Sequence, residues 1–161
     1  MIKIKTPVTD EQIRSLKVMD KIEISGKIYT GRDAVLPKVV RLTQEGGLRQ
    51  RGVNLEGAVI FHTAVSPAGI GPTSSNKLEI ESSIPTLSAA GVKIHLGKGA
   101  LSATTVAELK KNNSVFCITP PVTALFADSI VSKRVVAFPE EGIEALWELE
   151  VKGIPAFVAI A

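Results

Sequence analysis

The chain holds a single cysteine, Cys117, in 161 residues. That scarcity excludes an internal disulfide and any zinc or iron–sulfur centre built from its own thiols alone. Aromatic residues make up only 4% of the sequence, so base-stacking platforms have little material, and nucleic-acid binding is not expected. Charge of one sign is not in marked excess either: the net charge of +3 suits an anionic small molecule at least as well as a polyanion. A long apolar run is missing. The longest uncharged stretch, Gly57 to Asn76, is broken by Gly, Pro, Ser and Thr, so no membrane span is expected. Met1-Ile2-Lys3-Ile4-Lys5 alternates charged and apolar residues and does not read as a signal peptide; a soluble, cytoplasmic protein is expected. Nucleotide fingerprints are absent. Gly69-Ile70-Gly71 has Ser74 where a dinucleotide motif needs its third glycine, and no Gly-Lys-Ser/Thr phosphate loop occurs.

What is present is the composition of a packed globule, 45% hydrophobic and 22% charged, long enough for one domain spanning residues 1–161. Cys117 lies in the apolar run Val115-Phe116-Cys117-Ile118 and reads as a core thiol rather than a reactive one. Thr9-Asp10-Glu11-Gln12 has the spacing of a capping box and predicts a short helix through about Leu16. Ile22, Ile24, Gly26 and Ile28 alternate with Glu23, Ser25, Lys27 and Tyr29, which predicts a strand with one buried face. A helix is expected after Asp33, its N-cap, towards Gln44, limited by Pro37 and ended by Gly46-Gly47. Further strands are expected over 58–63, 92–96, 115–119, 133–138, around the alternation of Ala145, Trp147, Leu149 and Val151, and over 155–161. Helices are expected over 82–90, with Gly91 just past the end, from an N-cap at Ser102 to about Lys111, and from Pro121. Strand and helix alternate in the middle and strands dominate the ends, so a layered α/β domain with a mixed sheet is predicted.

Three segments carry the chemistry. Gly71-Pro72-Thr73-Ser74-Ser75-Asn76-Lys77 follows the apolar run Val59-Ile60-Phe61. Its Gly-Pro pair reads as a turn, and hydroxyls and backbone N–H groups just beyond a strand suit an anion. Gly31-Arg32-Asp33 and Gly97-Lys98-Gly99 are two further cationic sites. A dicarboxylate needs such a set: a guanidinium or ammonium for each carboxylate and a hydroxyl near the reacting carbon. Each residue alone also has a plainer reading. Arg32 reads as a surface cation paired with Asp33, Lys98 as a charge on a glycine turn, Thr73 as a hydroxyl finishing a turn, and His62 and His95 as core histidines.

In this order the three segments resemble the β subunit, or C-terminal domain, of the class I iron–sulfur fumarases and tartrate dehydratases. The pattern starts with Ile24-Ser25-Gly26-Lys27-Ile28-Tyr29-Thr30 running into Gly31-Arg32-Asp33-Ala34. It continues with Phe61-His62, Gly71-Pro72-Thr73-Ser74-Ser75, Gly91-Val92 and Gly97-Lys98-Gly99. It closes with Glu144-Ala145-Leu146-Trp147, then Glu150-Val151 and Pro155-Ala156-Phe157, so nearly the whole chain is covered. The resemblance implies the swivelling β/β/α fold and an active site shared with a cysteine-bearing α subunit. That partner would carry the 4Fe–4S cluster, and this chain would supply no metal ligand. Arg32, Lys77 and Lys98 would bind the substrate carboxylates and Thr73 would handle the C3 proton, with His62, Ser74 and Asp33 as possible contributors.

Some positions depart from the family pattern. Lys77 stands where an arginine is usual, Ser74 replaces a common threonine, and Leu36, followed by Pro37, occupies the place of a common histidine. The activity implied is a hydro-lyase, reversible hydration of fumarate to malate. The alternatives are a tartrate dehydratase β subunit and a non-catalytic anion-binding module on the same fold.

Overall fold

The computed structural model describes residues 1–32, 34–66, 69–73, 77–98, 101–119 and 129–161, without the side chains of 64, 66, 69–73 and 77–80. Its strands are β1 (Ile2–Lys5), β2 (Lys21–Thr30), β3 (Val59–Phe61), β4 (Thr63–Ser66), β5 (Gly69–Thr73), β6 (Ile94–Gly97), β7 (Val115–Ile118), β8 (Ile130–Ala137) and β9 (Leu146–Ile160). The helices are α1 (Asp10–Ser15), α2 (Leu36–Glu45), α3 (Lys77–Ala89) and α4 (Ala103–Lys111). This is a mixed α/β fold on a mixed sheet, as the alternation predicted.

Seven strands form the main sheet in the order β1-β2-β3-β6-β7-β9-β8. β1, β2, β3, β6 and β7 run parallel in successive pairs, and β9 is antiparallel to both β2 and β7. The β2–β9 pairing therefore closes β2, β3, β6, β7 and β9 into a ring. Alternation along each strand divides the core. Val59 and Phe61 join Ile24, Leu96, Cys117, Leu149 and Val158 in one core cluster, to which α1 adds Ile13 and its C-cap residue Leu16. Ile60 faces the other way and packs with Val35, Leu36, Val39 and Leu87 under α2 and α3. Phe116 packs outward against Ile84 of α3 and Leu109 of α4. Strands buried on both faces explain the unbroken apolar runs, each such side chain contributing roughly 1.5–3 kcal/mol by leaving water.

The capping box forms as expected: Gln12 N–H donates to Thr9 Oγ1 at 3.2 Å and Thr9 N–H to Gln12 Oε1 at 3.1 Å. Ser102 caps α4, its Oγ accepting from Thr105 N–H. Other boundaries differ from the sequence reading. α2 starts at Leu36, with Val35 at its N-cap and no side-chain cap, so Asp33 does not hold that place; Asp33 itself lies outside the described residues. Pro37 sits in the first turn, where an N–H would have no helical partner, and it opens the helix rather than limiting it. α3 starts at Lys77, ahead of the expected Ser82, and carries Pro85 inside. The segment at Pro121 lies outside the described residues. The two strands expected near the C-terminus are one strand of 15 residues, kinked at a bulge where Gly153 adopts φ 73 and donates its N–H to Ser25 Oγ at 2.9 Å.

Candidate functional site

The parallel strands β2, β3 and β6 deliver the candidate residues to one edge of the sheet. Thr30 is level with Phe61, and Phe61 with Leu96. Two residues beyond these stand Arg32, Thr63 and Lys98. The ladder continues past the strand ends, since Gly31 N–H donates to the Phe61 carbonyl at 3.1 Å and His62 N–H to the Leu96 carbonyl at 2.9 Å. The chain leaves the main sheet at His62 and forms the β4–β5 hairpin, in which Thr63 pairs with Thr73. The Gly71-Pro72-Thr73 segment expected to turn is thus the end of strand β5. Lys77 follows as the first residue of α3. The backbone therefore brings Arg32, Thr73 and Lys98 to the C-terminal ends of the parallel strands, where α/β sheets commonly hold ligands.

Arg32 is half-buried, and its Nε has no hydrogen-bond partner among the described residues. Among the described residues its facing carboxylate is Glu144, Oε1 at 3.9 Å; the expected pairing with Asp33 lies outside the described residues. Gly31 makes this turn possible: a Cβ there would lie 2.8 Å from Val35 Cγ1 and 3.0 Å from Leu36 Cδ2. Leu36 is buried in the core under α2, so the place of the family's histidine offers packing and no titrating group. Lys98 is exposed directly after β6. The side chains of Thr73 and Lys77 and the whole of Ser74 lie outside the description.

His62 turns inward from the strand ends and is fully buried. Its Nε2 shares a hydrogen bond with His95 Nδ1 at 3.2 Å, and His95 Nε2 shares another with Ser88 Oγ of α3 at 2.9 Å. Burial, then the nearby His62, holds the His95 imidazole well below its usual range. No local pattern announces this link, because strand register and the α3 face juxtapose residues far apart in the chain. Glu144 was visible as part of a family motif but had no assigned role.

Burial pushes the Cys117 thiol up to about 12, so it is protonated where a cluster ligand must be a thiolate. Among the described residues no group of three or more His, Cys, Asp or Glu could hold a metal ion. With one cysteine in the full sequence, the chain's thiols alone do not fit an iron–sulfur cluster. No helix of the described residues is long and apolar enough to cross a membrane.

Arg32 and Lys98 thus stand beyond the C-terminal ends of β2 and β6, the two parallel strands that flank β3. The sequence pattern described as Fumarase C-terminus matches residues 1–161, and the chain belongs to that family. Over 99% of its length it is 32% identical to a Geobacillus stearothermophilus protein provisionally named class I fumarate hydratase, of which it covers 32%. It is 29% identical to the anaerobic class I fumarate hydratase of Escherichia coli, over 92% of the chain and 28% of that enzyme. It is 28% identical to the L(+)-tartrate dehydratase subunit beta of E. coli, over 96% of the chain and 80% of that subunit. The chain thus spans about a third of the length of the fumarate hydratases it matches, and most of the tartrate dehydratase subunit.

Proposed function

We propose that this chain is the β subunit of an iron–sulfur-dependent hydro-lyase, most readily a fumarate hydratase, whose active site is completed by a cysteine-bearing α subunit. The observation that carries the reading is that Arg32, Thr63 (paired with Thr73) and Lys98 each follow by two residues the mutually paired strand positions Thr30, Phe61 and Leu96. β2 and β6 flank β3, so the strand ends that lead to Arg32 and Lys98 are about 10 Å apart. A four-carbon dicarboxylate and two long cationic side chains span that gap. A ring of parallel strands and β9, with helices on the outer face, also supports assignment to the swivelling β/β/α type.

In this reading Arg32 takes one carboxylate through its planar fork, and Lys98 takes the other as a point charge. Lys77 adds charge where α3 begins, and its ammonium discriminates less by direction than a guanidinium would. Fixing both carboxylates aligns the reacting carbons and stabilises the charge that develops on the carboxylate next to C3. Thr73 exchanges the C3 proton. Its hydroxyl is a weak base unless a nearby cation stabilises the alkoxide, a role open to Lys77 or Lys98. The 4Fe–4S cluster belongs on the α subunit, where it supplies Lewis-acid chemistry at the substrate hydroxyl.

The test is co-expression with a cysteine-bearing α subunit, followed by anaerobic assay of fumarate hydration and L(+)-tartrate dehydration. Turnover of fumarate supports the reading. Turnover of tartrate alone moves the chain to the tartrate dehydratase alternative, towards which its likeness to subunit beta points. A stable complex that turns over neither returns it to an anion-binding module.

A further inference from the structure

We infer that Glu144 is a positioning residue for Arg32, holding the guanidinium edge-on so that its fork faces the ligand; this rests on reading Arg32 as a carboxylate clamp. Arg32's side chain is 29% exposed, and its buried Nε has no hydrogen-bond partner among the described residues. A half-buried guanidinium with a buried Nε favours a carboxylate beside that nitrogen. Glu144 supplies it, its Oε1 approaching Nε at 3.9 Å. Approach at that edge leaves the Nη edge for the two oxygens of a carboxylate. Ion-pair distance without a hydrogen bond leaves room for Glu144 to close on Nε when a ligand fixes the fork.

The support of Glu144 is shared with the support of Arg32. Glu144 ends a 3-10 turn, Pro139–Glu144, which Phe138 enters at φ 54 and Gly142 kinks at φ 59. Lys38 of α2 ties that turn down: it reaches Glu141 at 2.5 Å and Glu140 at 3.9 Å, and lies 5.5 Å from the Phe138 ring centroid. The first turn of the same helix packs against Gly31, next to Arg32. α2 therefore adjoins both the turn that ends in Glu144 and the residue that precedes Arg32. This gives the Glu144-Ala145-Leu146-Trp147 motif a role at the site, besides the strand that follows it.

The experiment is a double-mutant cycle in the complex with the cysteine-bearing subunit, using fumarate and L(+)-tartrate as substrates. Glu144→Ala should raise KM about five- to tenfold, because the unpinned arginine gives up its fork geometry. The kcat should fall by less than KM rises, since the Arg32 charge that stabilises the transition state remains in place. Glu144→Asp should recover most of the loss. In the Arg32→Lys background, Glu144→Ala should add less than about twofold, because its effect runs through the fork. A KM that is unchanged or lowered in Glu144→Ala, or an equal effect in both backgrounds, overturns the inference. If Arg32→Lys is impaired while Glu144→Ala is silent, only the role of Glu144 fails; if Arg32→Lys is silent too, the clamp reading itself fails. A second readout needs no partner. In the isolated full chain the Arg32 Nε–Hε resonance should shift and exchange faster with water in Glu144→Ala, and an unmoved resonance overturns the inference.

Discussion

Burial sets the chemistry of His95 and Cys117. His95 is enclosed between sheet and α3, so its neutral form is favoured in the native state. The unfolded chain has no such constraint and takes up a proton below about pH 6.5. The unfolded state then binds more protons, so stability is full above that pH and falls as pH drops below it. One proton is worth at most about 1.4 kcal/mol per pH unit. Urea unfolding at pH 7.5 and 5.5 should therefore show wild type losing about 1 kcal/mol more than His95→Gln over that interval; parallel losses would mean that His95 does not drive the dependence. At the site, Thr73 separates two chemistries. If its hydroxyl carries the C3 proton, Thr73→Val abolishes turnover in the assembled complex and Thr73→Ser keeps part of it. Dicarboxylate affinity should stay within about tenfold in both, since the cations remain. Wild-type turnover in Thr73→Val, with His62→Asn inactive, would move the proton transfer to His62.

At the scale of elements, what was legible followed local rules. The capping box at Thr9, the cap at Ser102 and the alternation through Ile22, Ile24 and Ile28 each need only a few neighbouring residues, and each appears in the structure. Boundaries decided by tertiary contacts were not legible. Gly-Pro at 71–72 reads as a turn, yet pairing with β4 draws it into a strand. Pro37 reads as a limit until the start of α2 is known, and its meaning reverses when that start lies one residue before it. The candidate site divides in the same way. Its cations announced themselves beside glycines, but Glu144 opposite Arg32, and His95 beside His62, depend on a register that no local pattern encodes. The β9 bulge offers an element-scale prediction. Gly153 at φ 73 is in a region where a Cβ costs about 1–2 kcal/mol. Gly153→Ala should lower the unfolding free energy by that amount, and Gly153→Asn by less. Equal stability of all three chains would show that the bulge relaxes without the left-handed residue.

At the scale of the whole molecule, the candidate site is an edge. Lys98 is exposed beyond β6, and Ile143 beside Glu144 is 54% exposed. Val135, level with Trp147 and through it with Thr30, is 37% exposed. Apolar side chains around a cationic rim form the kind of surface that a partner covers. An uncovered site would leave the substrate and its clamps in water, where charge pairs are weak. The chain's one thiol is buried and protonated, so under the proposed function the cluster thiolates come from the partner. Anaerobic reconstitution of the isolated chain with iron and sulfide should therefore give no stoichiometric cluster and no hydration of fumarate. Co-expression with the cysteine-bearing subunit should give a hetero-oligomer that survives sizing at micromolar concentration, burying on the order of 1,200–2,000 Å² or more. In that complex Lys98 and Ile143 should become protected from amine labelling and from hydroxyl-radical oxidation, respectively. A cluster on the isolated chain would place ligation here after all. Two subunits that elute apart, with Lys98 and Ile143 labelled as in the free chain, would remove the shared active site.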